Sequence, residues 1–225
     1  CQALVRHLLV VVPVSVFMGL GVAVMIESCR IGKGFYRAVY FLPVMSTLIA
    51  MAVVWLVVLN PDFGLLNNTL KIFGIKGANW LNDPDTALLS LCGIGIWQAV
   101  GFNMVLFMAG LTSIPRDLYD AAEMDGAGGA LDRFRTVTWP MLGPVTLFVV
   151  VITSIRSFQV FDTVHVLTQG GPNKATEVLI YSIYSEGFQF FRSSYAAAIT
   201  VIFLVFILIL TIVKTRFIER KVHYA

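Results

Sequence analysis

Five long apolar runs constrain the fold of this chain more than any other feature. A helix that crosses a bilayer needs about 20 apolar residues, and each run reaches or approaches that length. The runs cover residues 8–26, 38–59, 87–114, 141–161 and 195–213, and Arg156 is the one charged residue inside them. The composition is 58% hydrophobic and 13% charged, with a mean hydropathy of +0.83, which exceeds the apolar share of soluble domains. We therefore predict an all-α integral membrane protein with five transmembrane helices.

A polar island at residues 115–140 separates the third run from the fourth. Pro115 suits a first helical position, since the N–H that proline lacks would be unpaired there. Gly126 lies where this helix would end, at a position where glycine adopts left-handed backbone most readily. Apolar residues recur between them at helical spacing, namely Leu118, Tyr119 and Ala122. Charges and irregular backbone have no place in hydrocarbon, so we predict two short helices joined by a turn on one membrane face.

The placement of lysine and arginine predicts the orientation, because cytoplasmic loops of membrane proteins are enriched in both. The loops after the first and third runs, together with the C-terminal tail, contain ten of them: Arg30, Lys33, Arg37, Arg116, Arg133, Arg135, Lys214, Arg216, Arg220 and Lys221. The opposite side contains five: Arg6, Lys71, Lys76, Lys174 and Arg192. The island and the C-terminus are therefore predicted to be cytoplasmic.

The island resembles a known motif. Asp120-Ala121-Ala122, Asp125-Gly126-Ala127 and Pro140 are similar to the EAA loop of binding-protein-dependent ABC importer permeases of the carbohydrate-uptake branch. Asp120 stands where that family usually has Glu, which keeps the charge with one methylene less. In the family this loop forms coupling helices that seat in a cleft of the ATPase subunit. The resemblance implies that the ATPase-coupling residues are Asp120, Ala121, Ala122, Glu123, Asp125, Gly126 and Ala127.

The resemblance extends from Phe35 to the C-terminal tail and implies one type I ABC importer transmembrane domain over residues 1–225. Such a domain has six transmembrane helices, and the sequence begins at Cys1 instead of Met, so we expect a first helix to be missing from it. The implied partners are a second permease subunit in a heterodimer, a dimer of ATP-binding subunits and an extracytoplasmic solute-binding protein. The implied location is the bacterial cytoplasmic (inner) membrane. ATP and magnesium would be bound by the ATPase, and no cofactor by this chain.

Polar groups inside the apolar runs are candidates for a cargo pathway, because each is costly in a membrane. Ile155, Phe158, Gln159 and Asp162 fall on one face of a continuous helix, and residues 157–162 resemble the pathway-lining segment of the family. A ring beside hydrogen-bonding groups suits a sugar. We predict a substrate pathway formed by Phe158, Gln159, Asp162, Gln98 and Asn103, with hydrogen bonding between helices as the alternative. Arg156 would snorkel, pair with a carboxylate, or act as the counter-charge of an anionic cargo.

The resemblance leaves the cargo open. The C-terminal half is similar to sn-glycerol-3-phosphate permeases and also to sugar permeases of the same branch, so the cargo is expected to be a sugar or a related polyol or glycerol phosphate. The outer loop contains Thr168-Gln169-Gly170-Gly171-Pro172, a tight turn similar to one that faces the binding protein in the family. The amphipathic residues 176–188 that follow are predicted to form a helix, either against the binding protein or on the membrane surface.

Enzymatic and other functions are disfavoured by what the sequence lacks. It has no G-x-x-x-x-G-K-S/T phosphate loop, so the chain is not expected to hydrolyse ATP itself. A membrane phospho-alcohol transferase would need an aspartate where Ala122 stands. A self-sufficient secondary transporter would need internal inverted repeats or ion-coupling sites formed by broken helices, and no repeat is apparent. The net charge of +3 is too small and dispersed for nucleic-acid binding. His7, His165 and His223 lack partners at ligand spacing and are interpreted as surface or interface histidines, so no metal site is predicted.

Overall fold

The structure, a computed structural model, describes residues 2–29 and 31–219, with side chains for all of these except 2, 210 and 213–219. Within this part every regular element is helical: α1 (Gln2–Ser28), α2 (Lys33–Met45), α3 (Leu48–Val58), α4 (Leu65–Ile72), α5 (Pro84–Thr112), α6 (Arg116–Met124), α7 (Ala130–Arg133), a π-helical turn (Phe134–Thr138), α8 (Trp139–Met141), α9 (Gly143–Phe158), α10 (Asp162–Leu167), α11 (Leu179–Tyr184), a second π-helical turn (Ser185–Gln189) and α12 (Ser193–Glu219). The residues outside this part of the structure include Cys1, Arg30, Arg220, Lys221 and His223, and the side chains of Lys214 and Arg216 are also outside it.

The long helices agree with most of the predicted spans. Among the described residues, three segments are long and apolar enough to cross a membrane: Ala3–Ser28, Pro84–Thr112 and Gly143–Leu167. They correspond to the first, third and fourth runs. The fifth run lies in α12, whose apolar part within the fully described residues is Ser193–Ile209. These helices make the chain a multi-pass membrane protein, and the count of five spans stays a prediction.

The prediction of one continuous helix over residues 38–59 is wrong. The segment is divided into α2 and α3, which meet at an angle of 98°. Ser46 and Thr47 adopt extended backbone at the break, with ψ angles of 144° and 133°. The Ser46 hydroxyl donates to the carbonyl of Leu42, which the end of α2 would otherwise leave unpaired. The helix that hydropathy alone would continue thus ends at two hydroxyl residues, Ser46 and Thr47.

The fourth run is also interrupted. Helix α9 ends at Phe158, Gln159 forms its C-cap, and the chain leaves helical geometry before α10 begins at Asp162. The single helical face predicted from Ile155 to Asp162 is therefore wrong beyond Gln159. Non-helical backbone at membrane depth is tolerated where it is buried in protein or lines a cavity, and this segment lines one.

Two apolar clusters form the core. In the first, α1 packs along α5 and α9, with Phe107, Met104, Leu142 and Val149 almost fully buried. In the second, Leu4 and Leu91 pack with residues of α10 and of the loop before α11, including Val164 and Val178. Helix α2 approaches α5 closely at Gly101, where an added Cβ would collide with the backbone oxygen of Tyr40. The glycine therefore sets the distance between these two helices.

The loop between α10 and α12 is a folded part of the second cluster. The predicted tight turn is confirmed: Gly170 has a φ of +78°, and the Thr176 hydroxyl donates to the Gly171 carbonyl at 2.6 Å. The predicted helix begins three residues late, at Leu179, because Val178 and the residues before it are extended or in turns. Tyr181 is buried against the cluster, so one face of α11 packs on protein.

Candidate functional site

A cavity of about 250 Å³ lies among the membrane-spanning elements. Its walls come from α1, α5 and α9, from the two residues that flank the α2–α3 break, Val44 and Leu48, and from residues 159–163. Both apolar and polar side chains line it. The break between α2 and α3 and the break between α9 and α10, neither of which hydropathy predicted, thus both border this cavity.

The structure brings four of the five predicted pathway residues to this cavity. Gln98, Asn103, Gln159 and Asp162 line it. Phe158 lies in the second apolar cluster with 7% of its surface exposed, and its ring packs edge-on against Phe206 with centroids 5.9 Å apart. Phe158, the last residue of α9, and Gln159, its C-cap, therefore have different surroundings. Contact of the four lining residues with cargo stays a prediction.

Asn103 is already engaged by neighbouring helices. Its amide nitrogen donates to the Ser15 hydroxyl at 3.3 Å, and its amide oxygen accepts from the Thr153 hydroxyl at 2.9 Å. The side chain is fully buried and joins α5 to α1 and α9. These bonds favour hydrogen bonding between helices as the role of Asn103. The amides of Gln98 and Gln159 have no hydrogen-bond partner among the described residues.

Arg156 also lines the cavity. Its guanidinium lies over the ring of Phe102, 3.9 Å from the centroid, a cation–π arrangement between α9 and α5. It forms no ion pair with a carboxylate of the described residues. Of the roles considered for Arg156, pairing with a described carboxylate is therefore wrong, since Phe102 supports the cation instead.

His7 is a cavity-lining residue that the sequence did not reveal. Of its two interpretations, surface or interface histidine, the surface one is wrong, and the interface one fits its place between α1 and α5. Helix α1 begins at Gln2, so His7 is inside the helix, 3% exposed, and packs beside Gly95 of α5. Both ring nitrogens are buried without a partner among the described residues. The spacing of His7 and Val11, which share the cavity-lining face of α1, was the available signal.

The polar island is a compact helical pair, as predicted. Helix α6 begins at Arg116, so the prediction of Pro115 as the first helical residue is wrong by one position, and Pro115 is the extended N-cap. The helix ends in a Schellman motif. Gly126 has a φ of +95°, its N–H donates to the Glu123 carbonyl, and the Ala127 N–H donates to the Ala122 carbonyl at 2.9 Å. The end of α6 is thus defined by backbone bonds that need glycine at position 126.

Side chains fasten α6 to the helical segment that follows the turn. The Tyr119 hydroxyl is 3.0 Å from the hydroxyl of Thr138, which is buried. The Arg133 guanidinium pairs with the Glu123 carboxylate at 3.0 Å and also donates to the Ala127 carbonyl. Tyr119, Ala122 and Phe134 pack against the core cluster formed by α1, α5 and α9. The pair is therefore attached to the transmembrane helices by packing as well as by polar bonds.

The outer surface of the pair is exposed. Among the predicted coupling residues, Asp120, Ala121, Glu123, Asp125 and Gly126 are exposed, and Ala122 and Ala127 are half-buried. Two large apolar side chains stand among these polar ones, Met124 with 89% and Leu131 with 61% of their surface exposed. Met124, at the end of the charged helix α6, and Leu131 therefore give the exposed face of the pair an apolar part.

Comparison with known families identifies this arrangement. Residues 12–223 match the family described as "Binding-protein-dependent transport system inner membrane component". The chain belongs to this family. It is therefore the permease component of a binding-protein-dependent ABC importer and is not itself an enzyme.

Individual members of the permease family are similar over most of their length. The sn-glycerol-3-phosphate transport system permease protein UgpA of Agrobacterium fabrum is 37% identical over 214 residues, covering 93% of this chain and 72% of that protein. The probable ABC transporter permease protein YurN of Bacillus subtilis is 35% identical over 223 residues, covering 96% and 76%.

Solved structures of related fold support the type I importer transmembrane domain. A bacterial ABC transporter involved in the import of the acidic polysaccharide alginate matches with a TM-score of 0.85 and 22% identity, over 97% of this chain and 79% of that chain. The alginate transporter in complex with its alginate pentasaccharide-bound periplasmic protein matches with a TM-score of 0.82 and 24% identity, over 96% and 77%. At these identities the likeness concerns the fold.

Proposed function

We propose that this permease forms half of the translocation pathway for a sugar or a related polyol or glycerol phosphate, and that residues 115–140 couple it to a separate ATPase. In this proposal it works in the bacterial inner membrane as a heterodimer with a second permease, above a dimer of ATP-binding subunits that hold ATP and magnesium. A solute-binding protein delivers cargo from the outer side. The C-terminus and residues 115–140 are cytoplasmic.

The proposal rests on one observation: the helical pair of residues 115–140 is bonded internally and packed on the transmembrane core, and its other face is exposed. A segment that transmits motion must be stiff and must be attached to what it moves. The Schellman end of α6 and the Tyr119–Thr138 bond supply stiffness, and the packing of Tyr119 and Phe134 on the core supplies attachment. The exposed Met124 supplies an apolar contact for a cleft of the ATPase.

The cavity supports the cargo part of the proposal. Its amides and carboxylate offer hydrogen bonds to hydroxyl groups, and its volume suits a small molecule. Relatives named for sn-glycerol-3-phosphate transport and a structural neighbour that imports an acidic polysaccharide agree with a hydroxyl-rich cargo. ATP binding closes the ATPase dimer, the helical pair moves with it, and the transmembrane helices alternate between inward-facing and outward-facing states.

Substitution of Met124 tests the coupling. In the assembled transporter, Met124→Glu places a carboxylate where the proposal puts an apolar contact, and burying an unpaired charge is costly. We expect the ATPase subunit to be lost from the purified complex and ATP-driven uptake into vesicles to stop, while the permease still inserts in the membrane. Ile72→Glu is the matched control, because Ile72 is 81% exposed but lies on α4 of the outer loop.

Retention of the ATPase and full uptake by Met124→Glu would refute the coupling role of this surface. Loss of the ATPase from Ile72→Glu as well would mean that added charge acts on the assembly at large, and would equally contradict the proposal.

A further inference from the structure

The cation in the cavity is the feature that the proposed function leaves unexplained. A charged side chain at membrane depth is costly and faces a partner or a functional cavity. The Arg156 guanidinium lies over the Phe102 ring at the cavity wall, which covers one of its faces and leaves its edge N–H groups without an acceptor among the described residues. No described carboxylate pairs with it. A guanidinium edge is suited to two parallel hydrogen bonds to a phosphate or carboxylate.

Asp162 is not paired with this cation. Its carboxylate lines the same cavity, but it forms no ion pair with Arg156 within the described part of the chain. An unpaired carboxylate accepts hydrogen bonds from hydroxyl groups and repels a second anionic group. The cavity thus combines one group that attracts an anion with another that favours hydroxyls.

His7 adds a further polar contact. Its two ring nitrogens are buried at the cavity without partners in residues 2–29 and 31–219. Buried polar atoms without partners normally contact a water molecule or a ligand. Together with Gln98 and Gln159, the histidine can bind the hydroxyl groups of a polyol or sugar.

We propose that the cavity binds a small polyol or sugar bearing one anionic group, a phosphate ester or a carboxylate, with Arg156 as the specificity-determining residue. The Arg156 guanidinium binds the anion, Phe102 holds the guanidinium in place, and Asp162, His7 and the glutamines bind the hydroxyls. This inference rests on the proposed function only in taking the cavity as part of the cargo pathway. A neutral sugar would leave the cation unpaired and would bind less well.

The test measures the potential in the cavity directly, in the complete transporter. Cys1, Cys29 and Cys92 are replaced by serine, and Ala99→Cys places one thiol on the cavity wall. The thiol is modified with a negatively charged sulfonate reagent and with a positively charged trimethylammonium reagent. We expect Arg156→Gln to lower the ratio of the two rates about tenfold, as removal of one nearby unit charge would. Arg156→Lys should keep most of the ratio.

Arg192→Gln is the matched control. Arg192 also lies over a phenylalanine ring, 5.4 Å from the centroid of Phe190, but it follows α11 in the outer loop and pairs with Glu186. We expect this substitution to leave the ratio of rates at the Ala99→Cys thiol unchanged.

Protection of the thiol identifies the ligand chemistry. sn-Glycerol 3-phosphate and glucuronate supply the phosphate and the carboxylate, and glycerol and glucose are their neutral counterparts. We expect at least one anionic compound to slow modification more than its neutral counterpart, and Arg156→Gln to remove that difference.

Three results would overturn the inference: an unchanged ratio in Arg156→Gln, equal protection by neutral and anionic compounds, or loss of the second permease from the Arg156→Gln complex, which would assign the cation to a carboxylate of that subunit. None of these readouts requires ATP-driven uptake or ATPase binding. Failure here therefore differs from failure of the Met124→Glu test, which concerns coupling alone.

Discussion

Asn103 joins three membrane helices through one amide group. The Ser15 hydroxyl accepts from it and the Thr153 hydroxyl donates to it, in a place with no exposed surface. Hydrogen bonds between membrane helices are modest individually, but a buried group left without its partner costs more than the bond contributes. The amide therefore stabilises the position of the cavity wall.

Replacement of Asn103 tests this role. Asn103→Leu leaves both hydroxyls without the amide, and we expect it to lower the free energy of unfolding by about 1–3 kcal/mol. Thr146→Val is the matched control, because the Thr146 hydroxyl is buried on α9 without a partner among the described residues. Removing it should be neutral or stabilising. Thermal unfolding of the detergent-solubilised protein measures both, and equal destabilisation would contradict the hydrogen-bonding role.

For individual residues, the sequence predicted which side chains line the cavity better than it predicted their hydrogen-bond partners. Gln98 and Asn103 were identified because polar residues are rare in apolar runs, and both line the cavity. The engagement of Asn103 was not predictable, since Ser15 and Thr153 are distant in sequence and meet it only through helix packing. His7 was missed because it stands at the edge of the first run, where the helix start could not be located from hydropathy.

In the proposed mechanism, the helical pair of residues 115–140 connects the ATPase subunit to the transmembrane helices. Two polar connections join its halves, and they differ in burial. The Glu123–Arg133 pair is 58% and 36% exposed, so it contributes little, about 0–1 kcal/mol. The Tyr119–Thr138 bond involves a buried hydroxyl and persists when salt screens the ion pair. The latter is therefore the stronger connection.

Removal of the Tyr119–Thr138 bond should uncouple the transporter. We expect the double variant Tyr119→Phe/Thr138→Val to keep the ATPase bound but to transport less cargo per ATP hydrolysed, because α6 would move without moving α9 to the same extent. Glu123→Gln should have a smaller effect on the same ratio. The measurement is uptake and ATP hydrolysis in the same vesicles. An unchanged ratio in the double variant, or a larger effect of Glu123→Gln, would contradict this ranking.

The elements were predictable where local chemistry defines them. The end of α6 follows from Gly126, and the start of α5 follows from Asp83, whose carboxylate caps the helix by accepting from the Asp85 N–H. The breaks at Ser46–Thr47 and Gln159–Phe161 did not follow, because an apolar run with two polar residues is compatible with an unbroken membrane helix. These breaks depend on tertiary contacts, such as the approach of Tyr40 to Gly101.

The whole molecule has an apolar exterior that suits lipid or a second permease. Helix α12 exposes Val201, Ile202 and Leu204, and α3 exposes Val53 and Val54. Such surfaces do not specify which side of the membrane each loop occupies. The orientation depends on the distribution of lysine and arginine, ten against five, and is part of the proposal.

Labelling of single cysteines tests the orientation. In a protein with its own cysteines replaced, Glu123→Cys should react with a membrane-impermeant maleimide only after the membrane is opened. Asp62→Cys should react in intact cells, since Asp62 is exposed in the turn before α4. Both positions are exposed, so a difference reports sidedness and not burial. Reaction of Glu123→Cys in intact cells would reverse the orientation and refute the coupling proposal.

The interruption between α2 and α3 also determines where water can be. Its terminal amides and carbonyls stand between Val44 and Leu48 on the cavity wall, and hydrocarbon cannot satisfy them. Water can satisfy them, so we expect the cavity to be hydrated where it meets the break. A hydroxyl-rich solute that enters a hydrated cavity would keep water on its hydroxyl groups. The free-energy cost of dehydrating the solute would then be lowered before any ATP is hydrolysed.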